Sequence, residues 1–287
     1  MRLLQSFCLT ILAVGLLLTG CKKDDTQPQS DYQSASDLLA AETVFDEIFA
    51  LTDGESKQQG DLNGVVSNGP KAQDRGCMSI DLATAAAWPN IFPITLTLDF
   101  GDACTVVDGS KISGKIVTVY TGKLQDKGTT ATLSLEDFEI NGYKVSGRKV
   151  WTNNGLNDNG QFHYTVEVKN GEVTTPDGTL IRYETNNTRT WIEGMDTNFW
   201  TNGVEGITDD VWEVTGTASG LNRRGESYVA TIESPWRHQA DCQWLTSGVT
   251  KVVTTGLASP ISLDFGDGNC DNKATVTVGN FTTEIEL

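Results

Sequence analysis

Apolar residues recur along the chain with two different periods, and the change between them divides it. From Ser36 to Leu51 the positions Leu38, Leu39, Val44, Phe45, Ile48 and Phe49 fall at helical spacing. Ser36 or Asp37 is placed to cap the start, and Gly54 follows the end. This predicts a helix over 36–52 whose single apolar stripe docks on a sheet. From about Ile94 onward the period drops to two. Tyr143, Val145 and Trp151 share one parity, as do Phe162, Tyr164, Val166 and Val168, and later Phe281, Ile285 and Leu287. Each set predicts a strand with one face toward a core. Turn dipeptides separate these runs: Asp108-Gly109, Lys127-Gly128, Asn141-Gly142, Asn159-Gly160, Asn170-Gly171, Asp177-Gly178, Arg224-Gly225 and Gly279-Asn280. Leu133, Leu135, Phe138 and Ile140 change parity midway, which predicts a β-bulge near Glu136-Asp137. The expected fold class is therefore all-β: a long-stranded antiparallel meander, as a curved sheet or a sandwich, with the one N-terminal helix packed on it. A closed barrel is the alternative.

The same reading sets the domain plan. Residues 1–20 open on Arg2, run apolar from Phe7 to Leu18 and end on a small residue at Gly20, the plan of a secretory signal peptide. Residues 21–35 are polar and bury too little to order themselves, so they read as a tether. Residues 36–287 form a single β-rich domain with the helix at its start, since an all-β chain of this length can be one domain. Between helix and strands, residues 53–75 read as a polar, Gly-rich connecting loop.

One stretch occurs twice: Leu98-Asp99-Phe100-Gly101-Asp102-Ala103-Cys104 and Leu263-Asp264-Phe265-Gly266-Asp267-Gly268-Asn269-Cys270. Each copy has a proline upstream, Pro93 and Pro260, and a cysteine further upstream, Cys77 and Cys242. Of the six cysteines, Cys8 lies in the leader and Cys21 at its end, leaving an even four in an oxidising compartment. Four cysteines allow three pairings, and the duplicated spacing favours Cys77 with Cys104 and Cys242 with Cys270. Metal binding by these cysteines is the weaker alternative, because none are spaced C-x-x-C. A shorter echo pairs Lys111-Ile112-Ser113-Gly114-Lys115 with Lys144-Val145-Ser146-Gly147-Arg148, which suggests that neighbouring strand pairs share a template.

Charge narrows the partners. The formal net charge is -17, and removing the leader, whose one charge is Arg2, makes it -18. Nucleic acid is excluded as an expected partner, because phosphate binding needs a basic surface. Anionic lipid is disfavoured for the same reason, so a membrane link has to be covalent. The leader's end, Leu18-Thr19-Gly20-Cys21, resembles the bacterial lipobox, which implies that Cys21 becomes the acylated N-terminus; two or more acyl chains anchor firmly. The following Lys22-Lys23-Asp24-Asp25 resembles the export signal of Bacteroidota-type lipoproteins displayed on the outer face of the outer membrane. The competing reading of these four residues is a solvated tether.

Further blocks extend the resemblance: Val44-Phe45-Asp46, Ile112-Ser113-Gly114-Lys115-Ile116-Val117, Asn141-Gly142-Tyr143-Lys144-Val145-Ser146-Gly147, Arg189-Thr190-Trp191-Ile192, Thr215-Gly216-Thr217-Ala218-Ser219-Gly220 with Asn222-Arg223, and the closing Asp264-Phe265-Gly266-Asp267-Gly268-Asn269-Cys270-Asp271-Asn272-Lys273-Ala274-Thr275-Val276. With the anchor, these make the chain similar to a family of uncharacterised Bacteroidota-type surface or outer-membrane lipoproteins. The resemblance implies a lipid-anchored protein facing the cell exterior. It transfers no catalytic residue.

Three function classes remain. A non-catalytic binding or structural module is expected first, with a glycan or a protein as ligand and no cofactor. A carrier of an apolar ligand such as a lipid needs a continuous apolar lining on the concave face. A surface hydrolase needs two acids close together in a cleft. The longest interval between strands is Gly194 to Asp210, and long ordered loops are where binding tends to sit. Its Asp196, Asn198, Trp200, Asn202, Glu205 and Asp209 are the candidate ligand residues. Trp191 and Trp212 flank it; core packing explains both, and Trp200 is the better candidate for stacking on a sugar ring. Asp264, Asp267, Asn269 and Asp271 offer oxygen ligands for Ca²⁺, but their register departs from the EF-hand pattern and an ordinary Asp/Asn turn accounts for them equally. His163 falls on the polar parity, and His238 is read as a loop residue.

Overall fold

The computed structural model describes residues 32–58, 73–85, 91–106, 109–196 and 208–287. One helix, α1 (Gln33–Gln58), precedes fifteen strands among these residues. The first five are β1 (Gln73–Arg75), β2 (Met78–Thr84), β3 (Ile94–Asp99), β4 (Cys104–Thr105) and β5 (Lys111–Tyr120). The long central strands are β6 (Thr130–Ile140), β7 (Tyr143–Leu156), β8 (Phe162–Thr174), β9 (Leu180–Glu193), β10 (Val211–Leu221) and β11 (Ser227–Gln239). Last come β12 (Leu245–Thr254), β13 (Ile261–Asp267), β14 (Lys273–Val278) and β15 (Phe281–Glu286). All pair antiparallel with their neighbours in chain order, apart from the short β4, which pairs with β5 beside β3. The all-β meander with one N-terminal helix is thus what the periodicity predicts.

The sheet is strongly curled. α1 lies against β5, β9 and β12, and β5 and β12 stand seven strand steps apart in the sheet. Laid flat, those steps would cover about 34 Å at 4.8 Å each, yet α1 joins a single core cluster with residues of strands from β2 to β14, as in a sheet wrapped around the helix. Among the described residues β1 and β15 do not pair, so the wrap is an open curved sheet and not a closed barrel. Ala35, Leu38, Ala41, Phe45 and Ile48 of α1 are essentially without exposure. The large members of this stripe each contribute about 2 kcal/mol by burial. They join one core cluster with Ile94, Leu96, Ile116, Ile181, Val252 and Leu263 from strands all around the sheet.

Bulges supply the curl. Asp137 and Asn170 hold positive φ of 47° and 53° inside β6 and β8, and the strand register shifts beside each. The facing residues are Gly114 and Gly147, at φ of 79° and 126°. A Cβ on Gly114 would lie 2.3 Å from the Asp137 carbonyl oxygen, and one on Gly147 would lie 2.8 Å from Gly171 Cα. The Ser-Gly echo in the sequence is therefore a repeated device: a glycine that lets the neighbouring strand bulge and turn. Asn170-Gly171, expected as a turn, is one of these bulges and lies within β8.

Three other expectations are corrected. The helix runs through Gly54 to Gln58, past the expected end near 52, because one interior glycine costs only about 1 kcal/mol relative to alanine. Asp37 is not a cap: it is buried one turn inside α1, where it accepts hydrogen bonds from Arg223 N and Nε, both at 2.8 Å. Asn222 Nδ2 donates to Ser34 Oγ at 3.0 Å, so the Asn222-Arg223 turn clamps the start of the helix. The strands also begin earlier than Ile94: β1 occupies the end of the stretch read as loop, and β2 follows it.

The duplicated stretch folds alike in both places. Asp99 and Asp264 each accept a hydrogen bond at 2.9 Å from the glycine two residues on, Gly101 and Gly266. Phe100 and Phe265 are both buried and meet an aromatic ring edge-on, Phe138 and Trp236 respectively. The disulfides are Cys77–Cys104 and Cys242–Cys270, with Cα separations of 5.2 and 5.7 Å. One unit holds each flank of the sheet.

Candidate functional site

Where α1 meets the central strands, the apolar stripe gives way to charge. Glu42 and Asp46 are four residues apart and therefore share a helix face. Facing them are Lys149 on β7 and Tyr183 and Arg189 on β9. Lys149 Nζ donates to Asp46 Oδ1 at 2.6 Å and to the Phe45 carbonyl at 3.1 Å. Arg189 Nη2 donates to both Asp46 oxygens at 2.7 Å and to Glu42 Oε1 at 3.3 Å. Tyr183 donates its hydroxyl to the other Glu42 oxygen. Lys149 is almost wholly buried, whereas the Asp46 side chain keeps 38% exposure and forms the cluster's open side.

Burial separates the two acids. Removal from water, reinforced by the Asp46 charge, raises Glu42 to about 7. Burial opposes the charge on Asp46 too, but Arg189 and Lys149 outweigh it and hold Asp46 well below the usual carboxylate range. Lys149 is lowered by burial. For Glu42 the folded chain favours the neutral acid, so its stabilising contribution is complete below pH 4.5. It is lost as pH rises toward 7. Glu42→Gln therefore raises stability relative to the native chain by on the order of 3 kcal/mol at pH 8, and the difference shrinks toward zero at pH 4.5. Urea melts of the two proteins across that range check this; a pH-independent difference contradicts it.

Beyond the charges, toward the ends of the strands, the same inner face carries aromatic rings. Phe49 of α1 stacks on Trp151 of β7 at 4.9 Å between centroids, and Trp151 lies 5.1 Å from Tyr164 of β8. Tyr164 lies 5.8 Å from Trp212 of β10, which stacks on Trp191 of β9 at 5.0 Å with planes 18° apart. The Arg189 guanidinium sits 5.6 Å from the Trp151 ring centre. Strand register explains the row: Trp212 pairs with Trp191 on one side and with His238 of β11 on the other. Burial, then the nearby Arg189, lowers the His238 pKa. Trp151, Trp191, Trp212 and His238 are all half-buried, so the row, at one end or mouth of the curled sheet, stays partly open to solvent rather than sealed in the core. Two buried donors, Arg189 Nε and Trp191 Nε1, have no hydrogen-bond partner.

No protein-family model, curated protein or solved structure matches this chain. The site is therefore read from its own geometry.

Set against the sequence, the mouth lies where the β9–β10 connection leaves the sheet, but its residues are not the loop residues expected to bind. Asp196 and Asp209 are exposed near the two ends of that connection. Asn198, Trp200, Asn202 and Glu205 lie outside the described residues, as do Cys21 and Lys22, Lys23, Asp24 and Asp25. His238 is a strand residue rather than a loop residue. The Ca²⁺ candidates turn to local groups: Asp264 takes Gly266 N, Asp267 takes Asn269 Nδ2 at 3.0 Å, and Asp271 takes Lys273 N at 3.1 Å. Among the described residues no group of three His, Cys, Asp or Glu side chains gathers in a metal-binding arrangement. The charged cluster was missed entirely. Its one sequence signal is Lys149 at the parity of Val145 and Trp151, a cation on an apolar face.

Proposed function

We propose that the protein is a non-catalytic binding module, held by lipid on Cys21 at the outer face of an outer membrane, and that the aromatic mouth is where it binds. The observation that carries this is the half-open row Trp151, Trp191, Trp212 and His238 at the rim of a curled sheet. Large rings left part-exposed next to polar groups at such a mouth are typical of ligand sites. The carrier reading fares worse, because α1 occupies the concave face that an apolar cargo would need and a charged cluster interrupts the lining. The hydrolase reading has its pair of acids in Glu42 and Asp46. Both oxygens of Glu42 are already taken by Arg189 and Tyr183, and the side chain is 12% exposed, which suits fastening the helix better than meeting a substrate.

Two disulfides fit an oxidising, extracytoplasmic location. Among the described residues no helix is long and apolar enough to cross a membrane, so attachment through acyl chains accounts for a membrane location. Cys21→Ser is expected to move the protein from the membrane fraction to the soluble fraction; a variant that stays with membranes until detergent is added contradicts the anchor. Binding at the mouth is tested by tryptophan emission of the mature domain. A ligand seated there shifts the emission, and Trp191→Ala/Trp212→Ala abolishes its binding; a ligand bound equally well by that variant contradicts the site.

A further inference from the structure

We infer that a trough on the outer face of the sheet binds a polyproline II peptide segment that carries a Lys or Arg three residues from an aliphatic side chain. The site is separate from the mouth and does not depend on it. Strands β7 to β11 form the trough, which encloses about 770 Å³, a volume within the range of about 300–1,000 Å³ usual for ligand sites. Strand register defines its two walls. One wall passes from Ser146 through Glu172, Arg182 and Leu221 to Ser227. The other passes from Glu184 through Ser219 to Val229, with Val253 beyond it. The walls stand two residues apart along each strand, so about 7 Å separates them, and four strand steps give a length of about 19 Å. Between them Tyr183 and Tyr228 turn their side chains into the core, and Gly171 and Gly220 have none. The floor is therefore bare backbone. It lies beside the bulge at Asn170, where β8 bends.

Charge complementarity selects the occupant. Glu172 is paired with Arg182 at 3.0 Å. Glu184 accepts the Asn170 amide at 3.3 Å, and no Lys or Arg among the described residues pairs with it. At the other end Val229 and Val253 are cross-strand neighbours, each more than half exposed. The trough thus asks for a cation at one end and an aliphatic group at the other. An anionic ligand would meet Glu184 in a chain of net charge -17. A sugar finds no exposed ring to stack on, because both tyrosines are buried. Glu184 and Val229 face the same side two strand steps apart, about 10 Å. A polyproline II helix, with three residues per turn and a rise of about 3.1 Å, repeats a side-chain direction about every 9 Å. The two spacings match. Its backbone makes no internal hydrogen bonds, and the side chains of Ser146, Asn170 and Ser219 line the trough to serve its carbonyls.

The test is titration of the isotope-labelled mature domain with the peptide Pro-Leu-Pro-Pro-Lys-Pro-Pro, read from amide resonances. Saturable movement of the Gly171, Gly220 and Val229 amides is expected. The same peptide with Glu in place of Lys binds about tenfold more weakly. Glu184→Lys alters an exposed side chain on the sheet surface and reverses that preference. No saturation at about 1 mM peptide overturns the inference. Equal binding of the two peptides, or a preference that Glu184→Lys leaves unreversed, overturns the part given to Glu184 and with it the choice of ligand. Resonance changes confined to Trp191 and Trp212 overturn the trough and place the peptide at the mouth.

Discussion

Arg189→Ala is expected to destabilise the domain by about 3–5 kcal/mol, the range found when one partner of a buried ion pair is removed. The guanidinium contacts both Glu42 and Asp46 of α1, donating to both Asp46 oxygens and to one Glu42 oxygen. Without it Glu42 keeps Tyr183 and Asp46 keeps Lys149, but two acids four residues apart on the helix then share a single cation. The side chain also lies over Trp151, so packing is lost together with charge. The two contributions separate in a double-mutant cycle: Arg189→Ala and Asp46→Ala together cost less than the sum of the single changes. Urea melts at pH 7 measure all four proteins. A loss below about 1 kcal/mol for Arg189→Ala, the range of solvent-exposed pairs, would mean that the cluster does not fasten the helix.

Removing either disulfide is expected to cost a similar amount. The two bridges span 27 and 28 residues of sequence, and chain entropy assigns a loop of that size an upper value of about 3.6 kcal/mol. Each also ties two strand connections together toward one flank of the open sheet. Cys77 precedes β2 and joins Cys104 of β4, while Cys242 precedes β12 and joins Cys270 before β14. Cys242→Ala/Cys270→Ala is the variant of choice, and a fall of about 2–4 kcal/mol in unfolding free energy is the expected result. A midpoint unchanged by this double substitution, and by reduction of the native protein, would show that the flanks hold without covalent help.

The fold was legible wherever local chemistry decides structure. Period-two alternation in Tyr164, Val166 and Val168, the turn dipeptides and the parity change at Glu136-Asp137 all report which way a side chain faces, and a sheet is built from that information. The duplicated cysteine spacing carried the two disulfides for the same reason. The curl was not legible as such. Its glycines were visible in the Ser-Gly echo, but what Gly114 and Gly147 face depends on strands that pair across β5–β6 and β7–β8. The charged cluster is harder still, because Lys149 and Asp46 are 103 residues apart and meet only after the sheet has wrapped around α1. Trp191 and Trp212 were noticed as flanking the long loop, yet nothing in their sequence neighbourhood says that β9 and β10 align them face to face.

The most direct test of a binder whose interior is filled by its own helix is native mass spectrometry of residues 22–287, expressed into a periplasm and compared with the denatured mass. With α1 seated inside the curled sheet, the native and denatured masses agree. A discrete excess that disappears on denaturation and whose extracted mass is that of a fatty acid or other lipid would place an apolar cargo where α1 sits. That result would make the protein a carrier and contradict the assignment of function to the mouth.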